Sequence, residues 1–80
     1  MKRSRDEIIS KILMACLTPT SKTRIVQFCN LNFKTVDKYL NPLMMNGHIA
    51  TTDGIRGKKY QTTEKGKQLL EMIKGIQEFL

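Results

Sequence analysis

The sequence predicts a mainly α fold carrying one small β-hairpin, and three observations support that prediction. Apolar residues recur at helical spacing in four segments, from Ile8 to Leu17, Ile25 to Cys29, Val36 to Met44 and Leu69 to Leu80. Two short strand-like stretches, His48-Ile49-Ala50-Thr51-Thr52 and Lys58-Lys59-Tyr60-Gln61-Thr62, flank the turn-forming tip Asp53-Gly54-Ile55-Arg56-Gly57. Only Asn30-Leu31-Asn32 separates the second and third helical segments, and so short a connection makes two helices cross steeply. The order is that of a winged helix-turn-helix with an added C-terminal helix.

Each element has its own signal. Ser4-Arg5-Asp6-Glu7 is a capping box that starts the first helix, whose apolar face Ile8, Ile9, Ile12, Leu13, Cys16 and Leu17 ends at Thr18-Pro19-Thr20. Ser21 or Thr20 caps the second helix, turning Ile25, Val26 and Cys29 inward and leaving Lys22, Thr23, Arg24 and Gln27 around an exposed start. Leu31 plugs the corner and Asn32 caps the third helix. There Val36, Leu40, Leu43 and Met44 form the inner stripe, and Phe33, Lys34, Asp37, Lys38 and Asn41 lie outward. Thr35 and Tyr39 sit at the boundary. Pro42 lacks the N–H that would bond the Lys38 carbonyl, so a kink or break is expected after Leu40, before a last turn ending at Asn46-Gly47. In the hairpin, Ile49 and Tyr60 suit a half-buried face, and Gly54 and Gly57 are expected at positive φ.

Thr63 caps a last helix whose Leu69, Leu70, Met72, Ile73, Ile76, Phe79 and Leu80 cover about half its circumference, wider than one core contact requires. Leu69, Met72, Ile76 and Phe79 fall at a and d spacing, so a second copy of this helix is the expected cover, with Ile73 and Leu80 beside the seam. The chain thus divides into a helix-turn-helix and wing unit over residues 1–63 and a dimerisation helix over residues 64–80.

Composition narrows the function. Eighty residues hold one domain at most, and a domain that small buries only about 60% of its unfolded surface, so association would add stability. The formal charge is +7, and from Thr20 to Tyr60 seven bases stand against two acids, placing +5 of the excess in the helix-turn-helix and hairpin. That concentration favours a polyanionic partner. Two cysteines, Cys16 and Cys29, sit at apolar-periodic positions of two helices and read as small core residues, with a reduced pair favoured over a disulfide joining the first two helices; with a single histidine they assemble no zinc set. No apolar run reaches the roughly 18 residues of a membrane span, and Lys11 interrupts the N-terminal apolar stretch. His48 has no acid or nucleophile predictably near it, so an enzyme is not expected.

The residues that remain suit double-stranded DNA. Lys34 and Lys38, one helical turn apart, face one groove and reach a guanine edge or a phosphate, with Thr35 and the capping Asn32 beside them. Phe33 either meets a thymine methyl or staples the helix to the corner. No arginine lies on this helix, so the bidentate fork to guanine is missing and selectivity is expected to be modest. Lys22, Thr23 and Arg24 would grip the backbone and set register. Strand alternation sends Lys58 and Lys59 to opposite faces, so one of them accompanies Arg56, the candidate for the minor groove.

The ordered series Arg3-Ser4-Arg5-Asp6-Glu7-Ile8-Ile9, Lys22-Thr23-Arg24-Ile25, Tyr39-Leu40 with Leu43, Gly47-His48-Ile49 and Tyr60-Gln61-Thr62-Thr63-Glu64-Lys65-Gly66 resembles the small archaeal winged-helix proteins. These include predicted transcriptional regulators and the "10a" type of chromatin protein. The resemblance implies a winged helix, a DNA partner and a C-terminal helix paired with its twin as an antiparallel coiled coil. It also implies recognition positions at Lys34, Thr35 and Lys38 and a wing at Arg56, Lys58 and Lys59. The resulting expectation is a cytoplasmic, nucleoid-associated homodimer that regulates transcription or packs DNA, with no cofactor and no evident small-molecule effector. The rival is a protein-interaction module in which the winged helix serves as an adaptor and the apolar last helix docks on a partner.

Overall fold

The computed structural model describes the backbone of residues 4–79 and the side chains of residues 4–75. Its elements are α1 (Arg5–Ala15), α2 (Lys22–Cys29), α3 (Phe33–Met45), β1 (Ile49–Gly54), β2 (Gly57–Thr62) and α4 (Glu64–Phe79). Every helix starts at a side chain that accepts an orphan backbone amide. Ser4 Oγ takes the Glu7 amide at 3.1 Å, Ser21 Oγ that of Arg24 at 3.3 Å, Asn32 Oδ1 that of Thr35 at 2.7 Å and Thr63 Oγ1 that of Gly66 at 3.1 Å. Two helices also end on a left-handed residue. Asn30 (φ 55°) turns the corner after α2, where the Leu31 amide donates to the Val26 carbonyl at 3.2 Å, and Gly47 (φ 79°) does the same after α3, where the His48 amide donates to Leu43 at 2.8 Å.

The core lies where α1, α2 and α3 meet. Ile12, Leu13, Cys16, Ile25, Cys29, Val36 and Leu40 are fully buried there, and Ile49, Tyr60 and Leu70 close it from the hairpin and α4. Both cysteines are buried in this core and no disulfide joins them.

β1 and β2 pair antiparallel from Ile49↔Thr62 to Gly54↔Gly57. The connecting turn is therefore Ile55-Arg56, shorter than the expected five-residue tip. Gly54, expected at positive φ, belongs to the last rung of the ladder instead, and Gly57 alone of the pair turns left-handed, at φ 110°. The base of the hairpin is tied down twice. Thr20 and Tyr60 exchange backbone bonds of 3.0 and 2.8 Å, so the segment after α1 acts as a one-residue third strand. Thr62 caps the end of α1, donating its amide to the Cys16 carbonyl at 2.8 Å and its hydroxyl to the Leu13 carbonyl at 2.7 Å.

The expected break at Pro42 is absent, for α3 runs unbroken through it. The loss of one bond to Lys38, on an exposed face, costs about 3 kcal/mol in isolation, and the tertiary anchors of the last turn outweigh it. Leu43 is buried. The Asn46 amide and Nδ2 both donate to the Pro42 carbonyl, at 3.0 and 2.9 Å, and Lys65 Nζ donates to the Asn46 carbonyl at 2.7 Å.

α4 packs along α1, with Leu70 and Ile73 buried and Leu69 partly so. Ile73, expected beside the dimer seam, is thus covered within its own chain, because the α4 stripe that meets α1 passes through it. Met72 remains 65% exposed. Leu80 and the side chains of Ile76 and Phe79 lie outside the described residues. Among the described residues no helix is long and apolar enough to cross a membrane.

Candidate nucleic-acid interface

The cations that the sequence singles out fall into three groups. On α3, Lys34 and Lys38 are exposed one turn apart, with Thr35 half-buried between them. The Lys38 ammonium lies 5.8 Å from the Tyr39 ring centre, and Lys38 and Arg5 both line a cavity of about 370 Å³ between α1 and α3. Asn32 is committed to its cap, since its Oδ1 holds the Thr35 amide. Phe33 is 50% exposed, so the corner takes up only part of its ring.

On α2, Thr23 and Arg24 are exposed, whereas Lys22, expected to grip phosphate, is half-buried and ion-paired. Its Nζ sits 2.7 Å from Asp37 Oδ1 on α3 and 5.9 Å from the Tyr60 ring centre on β2. The hydrogen bond to Asp37 raises the Lys22 pKa and holds the ammonium charged. Lys22 therefore ties together the start of α2, the middle of α3 and the hairpin. Separate from sequence patterning, this contact had no signal beyond opposite charges on two adjoining helices.

On the hairpin, Arg56 and Lys58 are exposed and Lys59 is half-buried, as alternation requires. Lys58 faces Asp53 across the ladder. Arg24, Lys34, Lys38, Arg56 and Lys58 form no ion pair among the described residues. Ile55, given no role by sequence reasoning, shares the turn with Arg56; its signal was a large apolar side chain at the solvent-exposed tip of a hairpin.

His48 lies at the cavity, with Nδ1 buried and unpartnered. Burial, and then the nearby Lys65 charge, lower its pKa, so it is a neutral imidazole at neutral pH. No cluster of His, Cys, Asp and Glu able to hold a metal occurs among the described residues. Burial pushes the Cys16 thiol up to about 12.

Comparison with known proteins agrees with this architecture. An uncharacterized protein of Methanocaldococcus jannaschii, MJ0290, is 38% identical over 77 residues, which cover 95% of this chain and 35% of that protein. The chain thus spans about a third of the length of that relative. Sso10a-2, a DNA-binding protein from Sulfolobus solfataricus, superposes with a TM-score of 0.89 at 30% identity, covering 96% of this chain and 81% of its own. TubR from Bacillus thuringiensis, solved bound to 24 bp of tubC, superposes with a TM-score of 0.74 at 25% identity, covering 88% and 82%. A family model described as winged helix-turn-helix matches residues 2–80, and with the capped corner, the tied hairpin and the packed C-terminal helix it places this chain in the winged helix-turn-helix family.

Proposed function

We propose that this chain binds double-stranded DNA, as a transcriptional regulator or a nucleoid-associated protein, with α3 in the major groove and residues 53–59 on the adjacent backbone or minor groove. One observation carries the reading. Six cations without an ion pair among the described residues, Arg24, Lys34, Lys38, Arg56, Lys58 and the half-buried Lys59, stand on α2, α3 and the hairpin, the three elements that Lys22 ties together. The DNA-binding descriptions of Sso10a-2 and TubR support it. Arg24 and Thr23 grip backbone and set register; Lys34, Thr35 and Lys38 meet the groove; Arg56 and Lys58 hold the far side, with Lys59 nearer the scaffold. Lys22 and Asn32 serve the geometry of α3 instead of touching DNA.

A homodimer through α4 completes the reading. Among the described residues Met72 is the exposed large apolar residue of α4, and in the sequence the a and d spacing that includes Leu69 and Met72 runs on through Ile76 and Phe79, with Leu80 beside it. Two copies would present two α3 helices to a two-fold site.

Binding of a labelled duplex, measured by fluorescence anisotropy at several salt concentrations, tests the function. If about six phosphates are neutralised, log affinity falls against log salt with a slope of roughly −5. Reversal of both lysines, Lys34→Glu with Lys38→Glu, abolishes retention, whereas unchanged retention with loss of a bound protein partner supports the adaptor reading. Selection from a random duplex pool separates a regulator, which enriches one site, from a packing protein, which does not.

A further inference from the structure

Ile55 is the most exposed of the large apolar side chains among the described residues, at 106% against 87% for Met45 and 65% for Met72. It forms a two-residue turn with Arg56, between the paired glycines Gly54 and Gly57. Turn chemistry does not call for it: neither Ile55 nor Arg56 takes a positive φ, so the turn accepts most residues and selects none, and an isoleucine exposed there gains no packing. The core does not explain it either. Ile49 and Tyr60 are buried at 2% and 6% at the base of the hairpin, while the tip projects beyond that base into solvent.

The surroundings of Ile55 indicate what would cover it. Arg56 is its neighbour and Lys58 is exposed just behind, so an uncharged protein pocket or a basic surface is a poor match and a polyanion a good one. Gly54 and Gly57 add no side chains to the width of the tip. A tip that narrow fits a minor groove about 6 Å wide, whose negative potential draws arginine. The base is held by the Thr20–Tyr60 bridge and by the contact of Lys22 with the Tyr60 ring, so the tip is carried on an anchored lever. Branching at Cβ limits the rotamers of Ile55, and a side chain that enters a crevice loses less freedom for it.

We propose that Ile55 is a wedge: beside Arg56 it enters the minor groove and partly unstacks one base step, kinking the duplex. The proposal rests on the DNA-binding reading and adds a source of selectivity to it. Pyrimidine–purine steps such as TA unstack most easily, so the hairpin favours them without a single base-edge hydrogen bond. That complements α3, which carries no arginine for guanine.

The test uses the full chain and two duplexes, one with a central TA step and one whose minor-groove contacts fall on a stiff A-tract, each carrying 2-aminopurine at the contacted step. With the native protein, 2-aminopurine emission rises on the TA duplex and end-to-end energy transfer reports a bend. Ile55→Ser, which changes a fully exposed side chain and keeps the fold by circular dichroism, binds the TA duplex about tenfold more weakly, as loss of one buried side chain implies. Its salt slope is unchanged, and the emission rise and the bend are lost. Ile55→Val retains both. Tight retention of DNA by the native protein with silent 2-aminopurine, or equal affinity of native protein and Ile55→Ser, overturns the wedge and leaves DNA binding standing. Failure to retain any duplex at low salt overturns both.

Discussion

Gly66 has no room for a side chain. A Cβ there would overlap the His48 carbonyl oxygen and lie 2.6 Å from Thr62 Cγ2, because α4 starts by pressing directly on the strand entry. Around it Thr63 works twice, donating to the Gly47 carbonyl at 2.6 Å while accepting the Gly66 amide. Gly66→Ala is therefore expected to destabilise the fold by about 2–3 kcal/mol, seen as a lower urea midpoint at unchanged slope. Cys16 makes a second prediction. In the unfolded chain its thiol ionises near 9.0, whereas in the core it holds its proton to about 12. Ionisation favours the unfolded chain, so its contribution is intact below pH 9 and is lost as pH rises toward 12. Urea midpoints at pH 8 and pH 10.5 should differ less for Cys16→Ala than for the native protein. At pH 8 Cys16 should resist a thiol reagent until denaturant is added.

At the scale of elements, α3 is where local preference and tertiary packing disagree. Pro42 argues for a break, and the helix continues because Leu43 is buried and the last turn is held by Asn46 and Lys65. Pro42→Ala should restore the bond to the Lys38 carbonyl and stabilise by about 1–2 kcal/mol, less than the full helix penalty because proline also restricts the unfolded chain. The Lys22–Asp37 pair is partly open to solvent, at 33% and 42% side-chain exposure. A double-mutant cycle should accordingly find under about 1 kcal/mol of coupling. Its larger effect should fall on DNA affinity, since Lys22 sets α2 against α3. Helix limits, caps and the corner were legible because each depends on residues three or four apart. The Thr20–Tyr60 bridge was not, since a lone threonine after a proline carries no strand pattern of its own.

For the whole molecule, the proposed DNA contacts and the proposed dimer contact lie on different elements. The cations assigned to DNA sit on α2, α3 and the hairpin, whereas Met72, the exposed large apolar residue of α4 among the described residues, is on the helix that packs along α1. Met72→Lys is expected to shift sedimentation from dimer to monomer and, by removing the second half-site contact, to weaken binding of a two-fold duplex far more than of a half-site. Neutralisation of the two lysines, Lys34→Gln with Lys38→Gln, should instead leave sedimentation unchanged and make the salt slope shallower by about 2.

Periodicity, capping residues and turn residues alone determined the number and order of elements, the winged architecture, the core positions of both cysteines and the basic character of one region. These follow from interactions between residues close in the chain, so they are written in the spacing of the side chains. Tertiary structure decided which lysine is free and which is tied, whether α3 breaks at Pro42, that Ile73 belongs to the core, and that the hairpin ends in a bare Ile55-Arg56 turn. Each depends on groups brought together from distant positions, where a side chain's partner is set by packing and no local pattern records it.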